Sequence, residues 1–266
     1  MSISSINAVL VDIATAVKRY PLVGMLGWQD IRQRYRRSAV GPFWLTISMG
    51  AMIGTIGIVF GQLFNAPIKD FFPFLAAGMI LWSFISTSVL EGCTSLIAAE
   101  NIIKQLPIPL FVHILRTLWR NTLILGHNII IFPLVLLAVQ KPVGLEALLS
   151  IPGFALLVLN LAWLSLILSI LCARYRDLTQ IIGSVLQIVF YLTPIIWLPN
   201  QLPGRSNVYL LDFNPIYHLM QIVRAPLLGQ EVSSISWWLS GGMALLGWCM
   251  AIMFYGRYKH RIAYWL

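Results

Sequence analysis

Residues 30–44 read DIRQRYRRSAVGPFW, and how this stretch is read decides the fold. Four arginines, Arg32, Arg34, Arg36 and Arg37, fall within six positions, and Gly41-Pro42 then opens an apolar run that carries no charge as far as Phe64. A cluster of fixed positive charge does not enter hydrocarbon cheaply, so it pins one end of the following span to the cytoplasmic face of a membrane.

The composition outside this hook agrees. Of 266 residues, 59% are hydrophobic and 10% charged, against about 25% charged in an ordinary soluble domain. This is the balance of an all-α, polytopic membrane protein. Apolar runs place spans at about 39–64, 71–96, 117–139, 148–172, 178–198 and 235–255, each near the roughly 20 residues that cross a bilayer. The expected organisation is therefore a cytoplasmic segment, 1–38, and a six-span membrane domain, 39–266. No compact apolar core with a cleavage site opens the first 38 residues, so the first span is expected to act as an uncleaved signal.

The net charge of +9 is explained by topology rather than by nucleic acid. Lys18, Arg19, the four hook arginines, Lys104, Arg116, Arg120, Arg174, Arg176, Arg257, Lys259 and Arg261 fall on one side of a six-span arrangement, leaving Lys69, Lys141, Arg205 and Arg224 on the other. Fourteen of eighteen basic residues on one side puts both termini in the cytoplasm.

Two segments are expected to lie along the surface. Ile6, Leu10, Ile13, Val17 and Tyr20 share one face of a helix over 3–20 that Pro21 ends or kinks. That face suits either the membrane interface or the flank of another helix. Asn214-Pro215 reads as an N-cap and first helical residue. Ile216, Leu219, Met220, Val223 and Leu227 then share a face, and Gly229 stops this short outer-surface helix. The fifth span carries Gln180, Gln187 and Thr193-Pro194, which suits a broken or re-entrant segment as well as a kinked helix.

Chemistry within the chain finds little support. His127 and Asn128 have no acidic neighbour in sequence, and no P-loop is present. Cys93, Cys172 and Cys249 lack metal-ligand spacing and read as small buried apolar residues. Glu91, about 30 Å along the second span from Phe71, is expected at the cytoplasmic interface, paired with a basic residue of the first loop. With no ionisable residue near the midplane to couple an ion gradient, uphill transport would need energy from another polypeptide.

Four stretches carry a resemblance: DIRQRYRRSAVGPFW at 30–44, SLIAAENIIKQLPIPLF at 95–111, YLTPIIWLPNQLP at 191–203 and LDFNPIYHLMQIVRAPLLG at 211–229. In this order they resemble the membrane-spanning subunits of ABC exporters that move polysaccharides of the O-antigen, capsule and teichoic-acid type. The prolines of the second stretch, Pro107 and Pro109, stand closer together than that family's usual pattern, and Leu106 replaces its usual aromatic. The resemblance implies a permease, not an enzyme, in the bacterial inner membrane, working as a homodimer with a separate ATP-binding subunit that holds ATP and Mg; this chain holds no cofactor or metal. It implies that Glu100, Asn101, Lys104 and Gln105 engage that ATPase. Residues 96–105 can form one turn-rich helix, and Pro107 and Pro109 stop it.

A lipid-linked polysaccharide presents phosphate at the inner leaflet, at the depth of Arg32, Arg34, Arg36 and Arg37. Guanidinium forks pair well with phosphate, although such clusters also set topology and contact anionic membrane lipids. Phe43, Trp44, Phe60, Phe190, Tyr191 and Trp197 are candidates to line a glycan corridor, and Asn214, Pro215 and Tyr217 to gate its exit. Two other readings compete: a permease for a drug or small lipid, and a passive channel or scaffold.

Overall fold

A computed structural model describes residues 3–36, 41, 43–63, 66–199 and 211–266, all in helices or their connections. Arg37, Pro42, Arg205 and the end of the third resembling stretch lie outside the described residues.

Helix α1 (Ile3–Lys18) turns at Arg19 into α2 (Tyr20–Tyr35), with Pro21 in the first turn where its missing N–H costs nothing. The hook arginines up to Arg34 are therefore helical, an element not expected from the sequence. Next come α3 (Phe43–Leu63), α4 (Ile68–Ala98), the six-residue α5 (Glu100–Gln105), α6 (Phe111–Asn128) and α7 (Ile131–Val139). A 3-10 turn (Leu145–Leu149) leads into α8 (Ser150–Arg174), followed by α9 (Leu178–Leu192), α10 (Pro215–Leu227) and α11 (Ser234–Trp265).

Among the described residues, five helical stretches are long and apolar enough to cross a membrane: Phe43–Leu63, Ile68–Gln105, Phe111–Val139, Leu145–Arg174 and Ser234–Trp265. The fifth expected span is different. Its helix, α9, has 15 residues, about 22 Å, and is too short to cross alone. Thr193 turns extended and the chain bends through Pro194, which favours a broken segment over a kinked helix. The third expected span starts six residues early, at Phe111, and breaks between α6 and α7. Pro133, just beyond the break, cannot donate to the carbonyl one turn back and its ring crowds that carbonyl.

Helix α4 is the hub. Most of it is buried, against α3, α6, α7, α8, α9 and α10. Close approach of the helices is built on small residues. A Cβ at Gly57 of α3 would lie 2.7 Å from the Phe72 ring, and one at Gly153 of α8 would collide with the Ile222 carbonyl of α10. At one end of the bundle Lys141 Nζ meets Asp70 Oδ1 at 3.0 Å. At the other, the Arg174 guanidinium stands 5.3 Å over the Trp265 ring, joining the ends of α8 and α11.

The apolar stripe of α1 is only partly its packing face, with Ile13 against the core. Val9 and Ala16 are buried, and Asp12 between them accepts from Lys259 Nζ (2.9 Å) and Tyr255 Oη (2.8 Å) of α11. Leu10, Val17 and Tyr20 stay exposed. One face thus docks on the bundle while the other remains open. Cys93 and Cys172 are buried as expected, but Cys249 is exposed. It sits on the outside of α11, and hydropathy does not distinguish a residue facing protein from one facing lipid.

Candidate functional site

The hook separates into two kinds of arginine. Arg32 and Arg36 are exposed and make no ion pair among the described residues. Arg34 donates to Glu91 Oε1 of α4 at 2.7 Å. Glu91 also accepts from Arg120 Nη2 of α6 at 2.6 Å, so its partners are the hook and α6 rather than the first loop. Arg120 continues to Asp30 Oδ2 at 3.0 Å, and Asp30 is gripped bidentately by Arg116, with Nε at 2.8 Å. One chain of charge therefore runs Arg34–Glu91–Arg120–Asp30–Arg116 and ties α2, α4 and α6 together. Burial pushes the Asp30 carboxyl up, but the hydrogen bonds and charges of Arg116 and Arg120 outweigh it and hold the group below its ordinary value. Burial likewise acts against the Arg34 cation, and Glu91 more than restores it.

Directly beyond α4, a turn at Ala99 leads into α5. Asn101, Lys104 and Gln105 are exposed, and Lys104 Nζ reaches Glu100 Oε1 one turn back at 2.7 Å, a pairing that stiffens short helices. Leu106 goes extended ahead of Pro107 and ends the helix, as the prolines predict. The coupling candidates thus occupy a short exposed rod continuous with the most buried helix of the bundle.

The corridor candidates are only partly brought together. Phe190 packs on Trp82 of α4 (ring centroids 5.5 Å) and on Tyr191 (5.3 Å), and Trp197 Nε1 donates to the Tyr191 carbonyl at 3.1 Å. With Met49 and Met52 of α3 and Met79 of α4, Trp82, Phe190 and Tyr191 line a groove of about 440 Å3 between α3, α4 and α9. Phe43 and Trp44 are exposed at the start of α3, away from this groove, where Phe43 meets the edge of His127 at 6.4 Å. Phe60 lies near the opposite end of α3, half-buried. The sequence reading missed Trp82 and the methionines, because a helical stripe of such residues looks the same whether it faces a core or a groove.

At the far end, Asn214 caps α10 as expected, its Oδ1 accepting from the backbone of Ile216 (3.0 Å) and Tyr217 (3.2 Å). Its Nδ2 donates to Thr193 Oγ1 at 2.9 Å, joining the helix to the bend after α9. Pro215 fills the first helical position, and half-buried Tyr217 stacks edge-on against His218 at 5.3 Å. Arg224, placed in an outer loop by the span count, is instead fully buried within α10. Its Nη1 donates to the Pro194 carbonyl at 2.6 Å, its Nε and Nη2 to Gln221 Oε1, and its guanidinium lies 4.1 Å over the Phe74 ring. A lone arginine among the uncharged residues of the helix was the available signal. A buried bend that breaks the helical ladder needs partners for its freed polar groups, and Arg224 supplies one to the Pro194 carbonyl.

Comparison with known proteins accords with this arrangement. The family model described as ABC-2 type transporter matches residues 21–228. Two O-antigen export system permease proteins RfbA of Klebsiella pneumoniae are 23% and 25% identical over 198 and 202 residues, each alignment covering 74% of this chain and 76% of the relative. The protein of the same name from Myxococcus xanthus is 24% identical over 202 residues, with the same coverage. The match from the first turn of α2 to the turn that ends α10 takes in the hook, the exposed helix α5, the groove and the buried arginine, and the chain belongs to the ABC-2 type transporter family.

Proposed function

We propose that this chain is the membrane-spanning subunit of an exporter that moves a lipid-linked polysaccharide of the O-antigen kind from the cytoplasmic to the outer face of the bacterial inner membrane. A separate ATP-binding subunit, carrying ATP and Mg, drives it. The carrying observation is the continuity of the exposed rod α5 with α4, the buried hub. A force applied to Glu100, Asn101, Lys104 and Gln105 from the cytoplasm reaches every helix that α4 touches. In this reading both termini are cytoplasmic, and α9 with its bent continuation makes the fifth of six crossings. Exposed Arg32 and Arg36, with Arg37, meet the cargo phosphate at entry.

A second copy of the chain completes the path. No residue of α9 is fully buried and few of α3 are, so the outer faces of both helices that flank the aromatic groove are open within one copy. Facing grooves in a homodimer would form a corridor whose aromatic walls let sugar rings slide, with the Asn214–Tyr217 end of α10 at its exit. The relatives' names support polysaccharide as cargo over a drug or small lipid.

The reading is tested in cells lacking the gene and complemented with variants. Glu100→Lys or Lys104→Glu should lower both recovery of the ATPase with the tagged chain and surface glycan. Unchanged recovery would remove the coupling assignment, and surface glycan unaffected by loss of the gene would remove the cargo.

A further inference from the structure

The charge chain borders a cavity of about 230 Å3 that the reading above leaves unused. Two helix faces form its walls. Glu91, Thr94, Ser95 and Ala98 recur at helical spacing on α4, and His113, Arg116, Thr117 and Arg120 do so on α6. Arg34 closes one side, and Ala99, the residue before the coupling rod, the other.

Its polar lining is incompletely satisfied. His113 is 1% exposed, yet neither ring nitrogen has a hydrogen-bond partner among the described residues, and buried Arg120 Nε is likewise unpartnered. A buried polar group left without a partner destabilises the fold, so such a group is a candidate to hold a ligand or water. The hydroxyls of Thr94, Ser95 and Thr117 donate back to their own helices, so the free donors are nitrogens. Charge is also unbalanced: Arg34, Arg116 and Arg120 face only Asp30 and Glu91. The volume far exceeds the roughly 10–15 Å3 that admits one water.

We infer that this cavity is a binding site for a phosphate group, held by His113 and the uncommitted nitrogens of Arg34, Arg116 and Arg120. Arginine forks and an imidazole N–H suit phosphate oxygens, and the surplus positive charge suits an anion. The carrier is either a lipid headgroup or a free phosphate. The site rests on the proposed phosphate entry at the hook and deepens it, because a phosphate here touches both Arg34 and the root of α5. Occupancy would thus be felt by the element that meets the ATPase.

The test uses the full chain purified in detergent, without ATPase or glycan. Thermal unfolding is followed against inorganic phosphate and against short-chain phosphatidic acid, with short-chain phosphatidylcholine as control. Stabilisation by both phosphates, or by phosphatidic acid alone, supports the site, the second result assigning the headgroup as carrier. His113→Leu removes both ring nitrogens. Ala98→Leu fills the cavity without touching any ion pair and covers the case in which the histidine variant folds poorly. Either change should raise the half-saturating concentration at least tenfold. No stabilisation, or equal stabilisation of wild type and both variants, overturns the inference and leaves a hydrated pocket. Phosphate binding as expected, with surface glycan unaffected by loss of the gene, would count against the cargo assignment alone.

Discussion

Replacing Arg224 by methionine should loosen the α9–α10 end of the bundle without unfolding it. In the wild type the guanidinium bonds the Pro194 carbonyl at 2.6 Å and covers the Phe74 ring at 4.1 Å, fully buried. A hydrogen bond from a charged donor contributes about 1.5–3 kcal/mol, and a desolvated cation–π contact about 2 kcal/mol. A methionine thioether recovers part of the ring contact, so the net tether lost is about 3 kcal/mol, on the order of a hundredfold in an equilibrium constant. The change also removes the cost of holding a cation out of water with no carboxylate beside it, which keeps the overall melting temperature near that of the wild type. Hydrogen exchange resolves the two effects. Amides of Thr193–Trp197 should open on the order of a hundredfold more often, while those in the middle of α4 stay protected. Arg224→Lys keeps the charge but not the flat fork, and should fall between. Wild-type exchange in Thr193–Trp197 of the methionine variant would refute the claim that Arg224 holds the bend against α10.

Other perturbations separate elements that look alike in sequence. Asp30→Asn leaves Arg116 without a carboxylate and Arg120 with Glu91 alone, and should cost about 3 kcal/mol, read as a lower denaturation midpoint. Because the folded Asp30 pKa is depressed, its contribution is full above the ordinary carboxylate value and is lost as pH falls through the folded value, so the gap between variant and wild type should close in acid. Arg34→Gln should lower thermal stability, whereas Arg32→Gln with Arg36→Gln should leave it unchanged and act on export alone. Gly153→Ala drives a methyl into the Ile222 carbonyl and should cost about 1–3 kcal/mol, with faster hydrogen exchange in α10. In a background free of native cysteines, Lys141→Cys should react with an impermeant thiol reagent from outside and Arg174→Cys should not; the reverse would overturn the proposed orientation.

The legible parts of the fold were those carried by local chemistry. Asn214-Pro215 announced the start of α10 because an Asn side chain caps the first turn and Pro needs no N–H there, and Gly229 ended it with φ +70°. Pro107 ended α5 by a different local rule, holding Leu106 extended ahead of it. The parts that were missed depend on partners. Helix α2 was not recognised because the hook reads as a charge cluster, and only Asp30 and Glu91 reveal that its helical turns dock. Phe43 and Trp44 shared an aromatic signature with Phe190 and Tyr191, yet only the latter pair reaches Trp82.

The sequence by itself determined that this is an all-helical membrane protein, where most of its apolar segments begin and end, and which of their ends carry basic residues, because hydropathy, turn chemistry and charge are properties of one stretch of chain at a time. Only the tertiary structure decided which charges are spoken for. Arg116 meets a carboxylate 86 residues away, Arg34 one 57 away, and Arg224 a carbonyl 30 away across a break in α9. A charge removed from water is stable only beside a specific partner, and the identity of that partner is fixed by how the helices pack.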